Sequence, residues 1–243
     1  MHNTTGFKPS RILRSLLVAI ALSGMAFASS ASVFVSVSFA PPPIPVYEQP
    51  LCPGPGYIWV PGYWAYGPDG YYWVPATWVL APFVGALWTP GYWGWTGAVY
   101  AWHPGYWGSH VGYYGGIDYG FGYFGTGYVG GYWRDRTFYY NTSVTHVDTT
   151  RVHYTYNRPE WNSNVSRVSF NGGPGGTTAR PTAQDRIAER EAHRSSTPMQ
   201  LQHERLASRD RGLLASVNHG SLAGAATTPR AAPFERSEFR GRA

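Results

Sequence analysis

The sequence predicts a mainly β protein: an antiparallel meander of Trp/Tyr/Pro-Gly repeats with a glycine- and tyrosine-rich extension, followed by a partly helical, largely disordered tail. Three observations predict it. A six-residue motif with tryptophan at both ends recurs at steady spacing, turn-forming residues fill the gaps between copies, and the motif carries proline and glycine at its centre, which excludes helix. The copies are Trp59-Val60-Pro61-Gly62-Tyr63-Trp64, Trp73-Val74-Pro75-Ala76-Thr77-Trp78, Trp88-Thr89-Pro90-Gly91-Tyr92-Trp93 and Trp102-His103-Pro104-Gly105-Tyr106-Trp107, offset by 14, 15 and 14 residues. Tyr128 to Trp133 reads as a worn fifth copy.

Residues 1–28 read as a secretory leader, with a basic start (Lys8, Arg11, Arg14), an apolar stretch Leu16 to Leu22 too short to span a bilayer, and small residues in Ala26-Phe27-Ala28. Cleavage is expected after Ala28, with Ala31 as second choice. No later run of about 18 apolar residues follows, so no transmembrane helix is expected after cleavage. The mature chain is then expected in the periplasm, at an outer membrane or outside the cell.

Residues 29–54 form a proline-rich lead. Val33 to Phe39 alternates as a strand does, or is an unstructured lead, and Ala40-Pro41-Pro42-Pro43-Ile44-Pro45 reads as an extended spacer. Residues 55–170 form the aromatic repeat domain. Gly67-Pro68-Asp69-Gly70, Ala81 to Gly85 and Thr96-Gly97 supply the reversals, so each period is one strand plus one turn. Pro-Gly at the motif centre has two readings: a kink within a longer strand, which we favour, or a tight type II turn giving twice as many strands of half the length. Ala76 opposes the turn, because type II geometry needs a positive φ at that position. A bulge or kink has a consequence: Trp59 and Trp64, five residues apart, come to the same face. From Gly108 to Gly131 glycine and tyrosine interleave, as further sheet or as an aromatic loop, and Thr137 to Tyr156 adds one or two strands.

Residues 171–243 read as a flexible arginine-rich tail with short helices. Asn171 to Gly176 is the expected linker; Thr182 with Asp185 makes a capping-box analogue, and Thr197 followed by Pro198 opens a second helix. The apolar faces of both helices are thin, and the last 25 residues read as disordered.

Composition excludes several chemistries. Of 19 basic residues, three lie before residue 15 and the other sixteen begin at Arg134, while between Leu51 and Trp133 the only charges are Asp69 and Asp118. An aromatic platform for single-stranded nucleic acid needs interleaved Lys or Arg, so no nucleic-acid partner is expected. Asp69 is taken up by its turn, which leaves no carboxylate pair for acid/base catalysis. His103, His110, His146 and His153 lack metal-ligand spacing, so neither a metal nor another cofactor is expected. Cys52 is the single cysteine, so it forms no intramolecular disulfide or C-x-x-C site; it lies too far beyond Ala28 for lipidation and is free or paired between chains.

The pattern W-x-x-G-x-W, met at Trp59/Gly62/Trp64, Trp88/Gly91/Trp93 and Trp102/Gly105/Trp107 and broken by Ala76, resembles the WXXGXW, or YXWGXW, repeat family of exported proteobacterial proteins. Ala179 to Thr182 and Leu214 to Gly220 also look like family members. The resemblance implies export and, for some relatives that are small lipoproteins, association with two-partner secretion systems; it implies no catalytic residue. The function expected is a non-enzymatic structural or interaction protein of the cell envelope. The alternatives are a glycan or peptidoglycan-binding module and a secretion-system accessory, with envelope polysaccharide or another envelope protein as partner. The candidate binding or core aromatics are Trp59, Trp64, Trp73, Trp78, Trp88, Trp93, Trp102, Trp107 and Trp133. Within each unit the first tryptophan is expected to be buried and the second partly exposed.

Overall fold

The computed structural model describes residues 35–159, 166–222 and 224–228. The leader expected at residues 1–28 and the part of the expected tail beyond Thr228 lie outside them. The described chain is mainly β, with antiparallel hairpins built from the aromatic repeats.

Each of the four units contributes two short strands separated at its Pro-Gly or Pro-Ala step. The first two units give β2 (Tyr57–Val60), β3 (Tyr63–Gly67), β4 (Gly70–Val74) and β5 (Ala76–Leu80). The next two give β6 (Leu87–Thr89), β7 (Tyr92–Trp95), β8 (Tyr100–His103) and β9 (Tyr106–Gly108). β3 pairs with β4 and β2 with β5, so units one and two are the arms of one long bent hairpin reversed at Pro68-Asp69. β7 pairs with β8 and β6 with β9 in a second, equivalent hairpin.

The chain therefore combines parts of both sequence readings. It breaks at every central proline, which has no N–H for the ladder, yet it keeps its direction there. Gly62, Gly91 and Gly105 are absent from the positive-φ glycines, which excludes the type II turn. The meander does not run on from unit two to unit three. The outer edge of β5 is instead taken by β16 (Ala226–Thr227) in parallel register, and the second hairpin is flanked by β1 (Ser36–Val37) on β8 and β15 (Phe170–Asn171) on β7.

The glycine- and tyrosine-rich stretch is mostly loop, with a small hairpin of β10 (Asp118–Gly120) and β11 (Tyr123–Phe124). It buries Tyr114, Ile117, Tyr119 and Tyr123. β12 (Gly131–Arg134), β13 (Thr137–Asn141) and β14 (Thr155–Tyr156) form a three-stranded sheet, so the stretch after Thr137 adds two strands. Its inner face carries Trp133, Phe138 and Tyr140, and its outer face carries Tyr132 and Tyr139 stacked at 5.3 Å.

Two sequence expectations are corrected. The proline-rich lead is no spacer: Ile44, Gln49 and Cys52 are buried, and the lead's carbonyls meet core donors. The segment after Phe170 is no free tail either. It folds back through α1 (Ala183–Ala188), α2 (Pro198–Ala207), a 3-10 turn (Arg211–Leu213), α3 (Ala215–Asn218) and β16. Thr182 and Thr197 cap the first two helices as expected, each within a capping box. What anchors them is tertiary: the Tyr63 hydroxyl donates to Glu204 at 3.0 Å, the Trp107 indole donates to Gln200 at 2.8 Å, and Ala207 and Ala225 are buried. The Asn171 to Gly176 linker is a closed turn, with Asn171 Nδ2 donating to Thr177 and Ala179.

Candidate functional site

The repeat tryptophans meet in directly opposed pairs across the hairpins: Trp59 with Trp78, Trp64 with Trp73, Trp88 with Trp107 and Trp93 with Trp102. Their ring centroids lie 5.2 to 5.4 Å apart at steep angles, the edge-to-face and tilted geometry that the ring quadrupole favours. The kink at each Pro-Gly brings both ends of a unit into this one core. Trp59, Trp64, Trp73, Trp78, Trp88, Trp93 and Trp107 are all at most 4% exposed. Of the nine candidate tryptophans, Trp102 and Trp133 are the two that are half-buried. The expected division is thus corrected: every second tryptophan of a unit is buried, and the one that reaches the surface, Trp102, is a first.

An indole N–H donates and cannot accept, so burying a ring leaves a costly unmet donor unless an acceptor is supplied. The lead supplies two, Pro43 O to Trp64 at 3.1 Å and Pro50 O to Trp78 at 2.8 Å. Proline-rich backbone suits this task, since it offers carbonyls while having few N–H groups of its own to satisfy. Trp73 donates to Ala225 O, Trp133 to Ala86 O, and Trp93 to Trp64 O at 2.7 Å, the last bond tying the second hairpin to the first. Trp59 Nε1 is buried without a partner among the described residues.

The motif glycine has a steric reason. A Cβ on Gly105 would lie 2.5 Å from Trp88 Cζ2, one on Gly91 2.5 Å from Trp102 Cζ2, and one on Gly62 would strike Trp73. Each glycine is a bare patch of backbone on which the first tryptophan of the opposite arm rests. The equivalent position of the second unit holds Ala76, itself fully buried. Gly105→Ala is expected to lower stability by about 1–3 kcal/mol through overpacking, whereas Ala76→Gly should cost no more than about 1 kcal/mol. Urea unfolding of the two variants checks the contrast.

Burial also sets the ionisable groups. Loss of solvation pushes Tyr72 and Tyr92 up to about 12, and it raises Tyr119, Tyr123 and Tyr140 well above the ordinary phenol value. His103, stacked on Tyr92 at 4.4 Å, is lowered by burial, against a smaller opposing pull from Glu189. Asp69 sits exposed at the tip of the first hairpin, and Asp118 accepts the Gly120 N–H at 3.0 Å within its own turn. Among the described residues no group of three or more His, Cys, Asp or Glu is placed to hold a metal ion, and no helix is long and apolar enough to cross a membrane.

Cys52 is buried, its thiol donating to Gly54 O at 3.2 Å, and burial raises its pKa to about 11. Pairing between chains would require this site to open, which disfavours the intermolecular disulfide. In native protein Cys52 should react with iodoacetamide at least about 100-fold more slowly than in urea, given the scarcity of exposed thiolate, and non-reducing electrophoresis should show a single-chain band. Rapid native alkylation would contradict this placement.

Sequence reasoning missed the acceptors contributed by the lead and the tail. Their signal was the excess of indole donors over any polar acceptor within the repeats. No curated protein and no solved structure matches the chain. A family model, the WXXGXW repeat, matches it twice, at residues 54–79 and 87–107. Each match spans one bent hairpin, so the chain carries two WXXGXW repeats, each a pair of tryptophan motifs facing each other across a kinked hairpin.

Proposed function

We propose that the protein is exported and acts in the cell envelope as a non-catalytic structural or interaction module. The observation that carries this reading is the use of the repeat aromatics: they form the framework and hold the lead and the tail onto it through indole-to-carbonyl bonds. Such a framework relies on apolar burial and neutral hydrogen bonds. Salt screens these far less than it screens ion pairs. Stability of this kind suits a chain working outside the buffered cytoplasm, where the leader at residues 1–28 would direct it.

Expression of the full chain in a Gram-negative host, followed by fractionation and intact-mass measurement, tests the location. The expected product is an envelope-fraction protein that begins after Ala28 or Ala31; an unprocessed cytoplasmic product contradicts it. A hydrolase panel on the mature protein tests the absence of catalysis, and turnover abolished by changing Asp118 or His103 would refute it.

A further inference from the structure

Beside the aromatic core lies an open cleft of about 790 Å³, within the roughly 300–1,000 Å³ of small-molecule sites. Four separate stretches build it: the lead at residues 44–49, the β10–β11 hairpin, the loop after β13 at residues 142–146, and Ser166-Arg167. None of the repeat tryptophans lines it.

Its apolar side is Phe121 and Phe124, both half-buried. Phe121 stands at φ 51 beside Gly122 at φ 99, in a two-residue hairpin turn where Asn or Gly is the favoured occupant. A bulky ring held in that region requires support from its surroundings. Here one side of the ring packs on Tyr47 at 5.5 Å and on Trp59 at 5.7 Å, and the residue also lines the cleft.

The polar side mixes donors and acceptors. His146 shares its Nδ1 with Gln49 O at 3.0 Å; a carbonyl only accepts, so Nδ1 carries the proton and Nε2 is the nitrogen that can accept. Glu48 adds an exposed carboxylate. Arg167 is fixed by its Nε donating to Ile44 O at 2.7 Å, which leaves its terminal N–H groups as donors. Gln49 accepts the His146 backbone N–H through Oε1 at 2.6 Å, and its Nε2 is buried without a partner among the described residues.

We propose that this cleft binds a short uncharged glycan segment, with the Phe121 and Phe124 rings against one pyranose face. Glu48 and His146 accept from its hydroxyls, and Arg167 donates to them. A hydroxyl donates and accepts at once, so it matches a lining that alternates the two. The lining carries both signs of charge, and its carboxylates, Glu48 and Asp118, oppose a polyanion, which favours a neutral saccharide over nucleic acid. The proposal rests on the envelope reading for where such a glycan would be met.

Calorimetric titration of the full mature chain with the trimer of N-acetylglucosamine and with cellotriose tests it. Saturable binding of at least one trimer is expected, weakened about tenfold or more by Glu48→Gln and by Phe124→Ala at unchanged melting temperature, and unaffected by Tyr132→Ala on the outer face of the β12–β13 sheet. Should Phe124→Ala unfold, the exposed Glu48→Gln variant decides alone. Absence of saturable binding by either trimer, binding undiminished in Glu48→Gln, or preference for an oligothymidylate would each overturn the proposal. Leader cleavage and fractionation are read independently, so failure here leaves the envelope reading standing.

Discussion

Trp93→Ala is expected to lower the unfolding free energy by about 3–5 kcal/mol, a large part of the roughly 5–15 kcal/mol that a domain of this kind possesses. Three losses combine in this one change. The ring is 1% exposed, so its whole apolar surface is lost from the core. It lies 5.4 Å from both Tyr71 of the first hairpin and its own partner Trp102, so a void would open between the hairpins. Its N–H also donates to Trp64 O at 2.7 Å in a buried bond, and removing the donor strands a carbonyl. Trp93→Phe isolates that last component: most of the packing stays, and the cost should fall to about 1–3 kcal/mol. Trp102→Ala, at a half-buried position, should cost clearly less than Trp93→Ala. Urea unfolding followed by circular dichroism reads all three. Equal, small effects at positions 93 and 102 would contradict a core built on the repeat rings.

Alkali is expected to unfold the protein abruptly. Phenols that ionise near 10 in an unfolded chain are held higher in the fold by loss of solvation, Tyr72 and Tyr92 at about 12 and Tyr119, Tyr123 and Tyr140 well above the ordinary phenol value. The folded state therefore keeps protons that the unfolded state has released. Their contribution is fully present below pH 10 or so and is lost as pH rises from there through the folded values. Each buried phenol in that window steepens the loss by about 1.4 kcal/mol per pH unit, and several act together. Tyrosinate absorbance and far-ultraviolet circular dichroism should change in one shared transition above pH 10. Gradual, non-cooperative phenol titration with the β signal intact would show that these rings are accessible to hydroxide.

Much of the architecture was legible because it is local. The recurrence of Trp-x-Pro-Gly-x-Trp, the turn residues at Gly67 to Gly70 and at Thr96-Gly97, and the caps at Thr182 and Thr197 depend on neighbours within a few residues, and each stands in the fold where its chemistry places it. Even the choice between kink and turn at Pro-Gly was constrained by one residue, Ala76. The candidate cleft was not legible. Phe121, His146 and Arg167 lie far apart in the chain, and nothing in their local sequence marks them as neighbours of Glu48.

The sequence by itself determined the strand-forming units, their period and their turns, because period and turn chemistry are properties of short stretches of chain, while it left the repeat tryptophans as either core or surface. Only the tertiary structure decided that units pair two by two rather than in a running meander, and that the lead and the supposed tail belong to the core. The physical reason lies in the indole N–H. A buried indole calls for an acceptor, and Trp64, Trp78 and Trp73 find theirs outside the repeats, at Pro43, Pro50 and Ala225. The Trp73 bond joins groups 152 residues apart, a distance over which no local pattern reports.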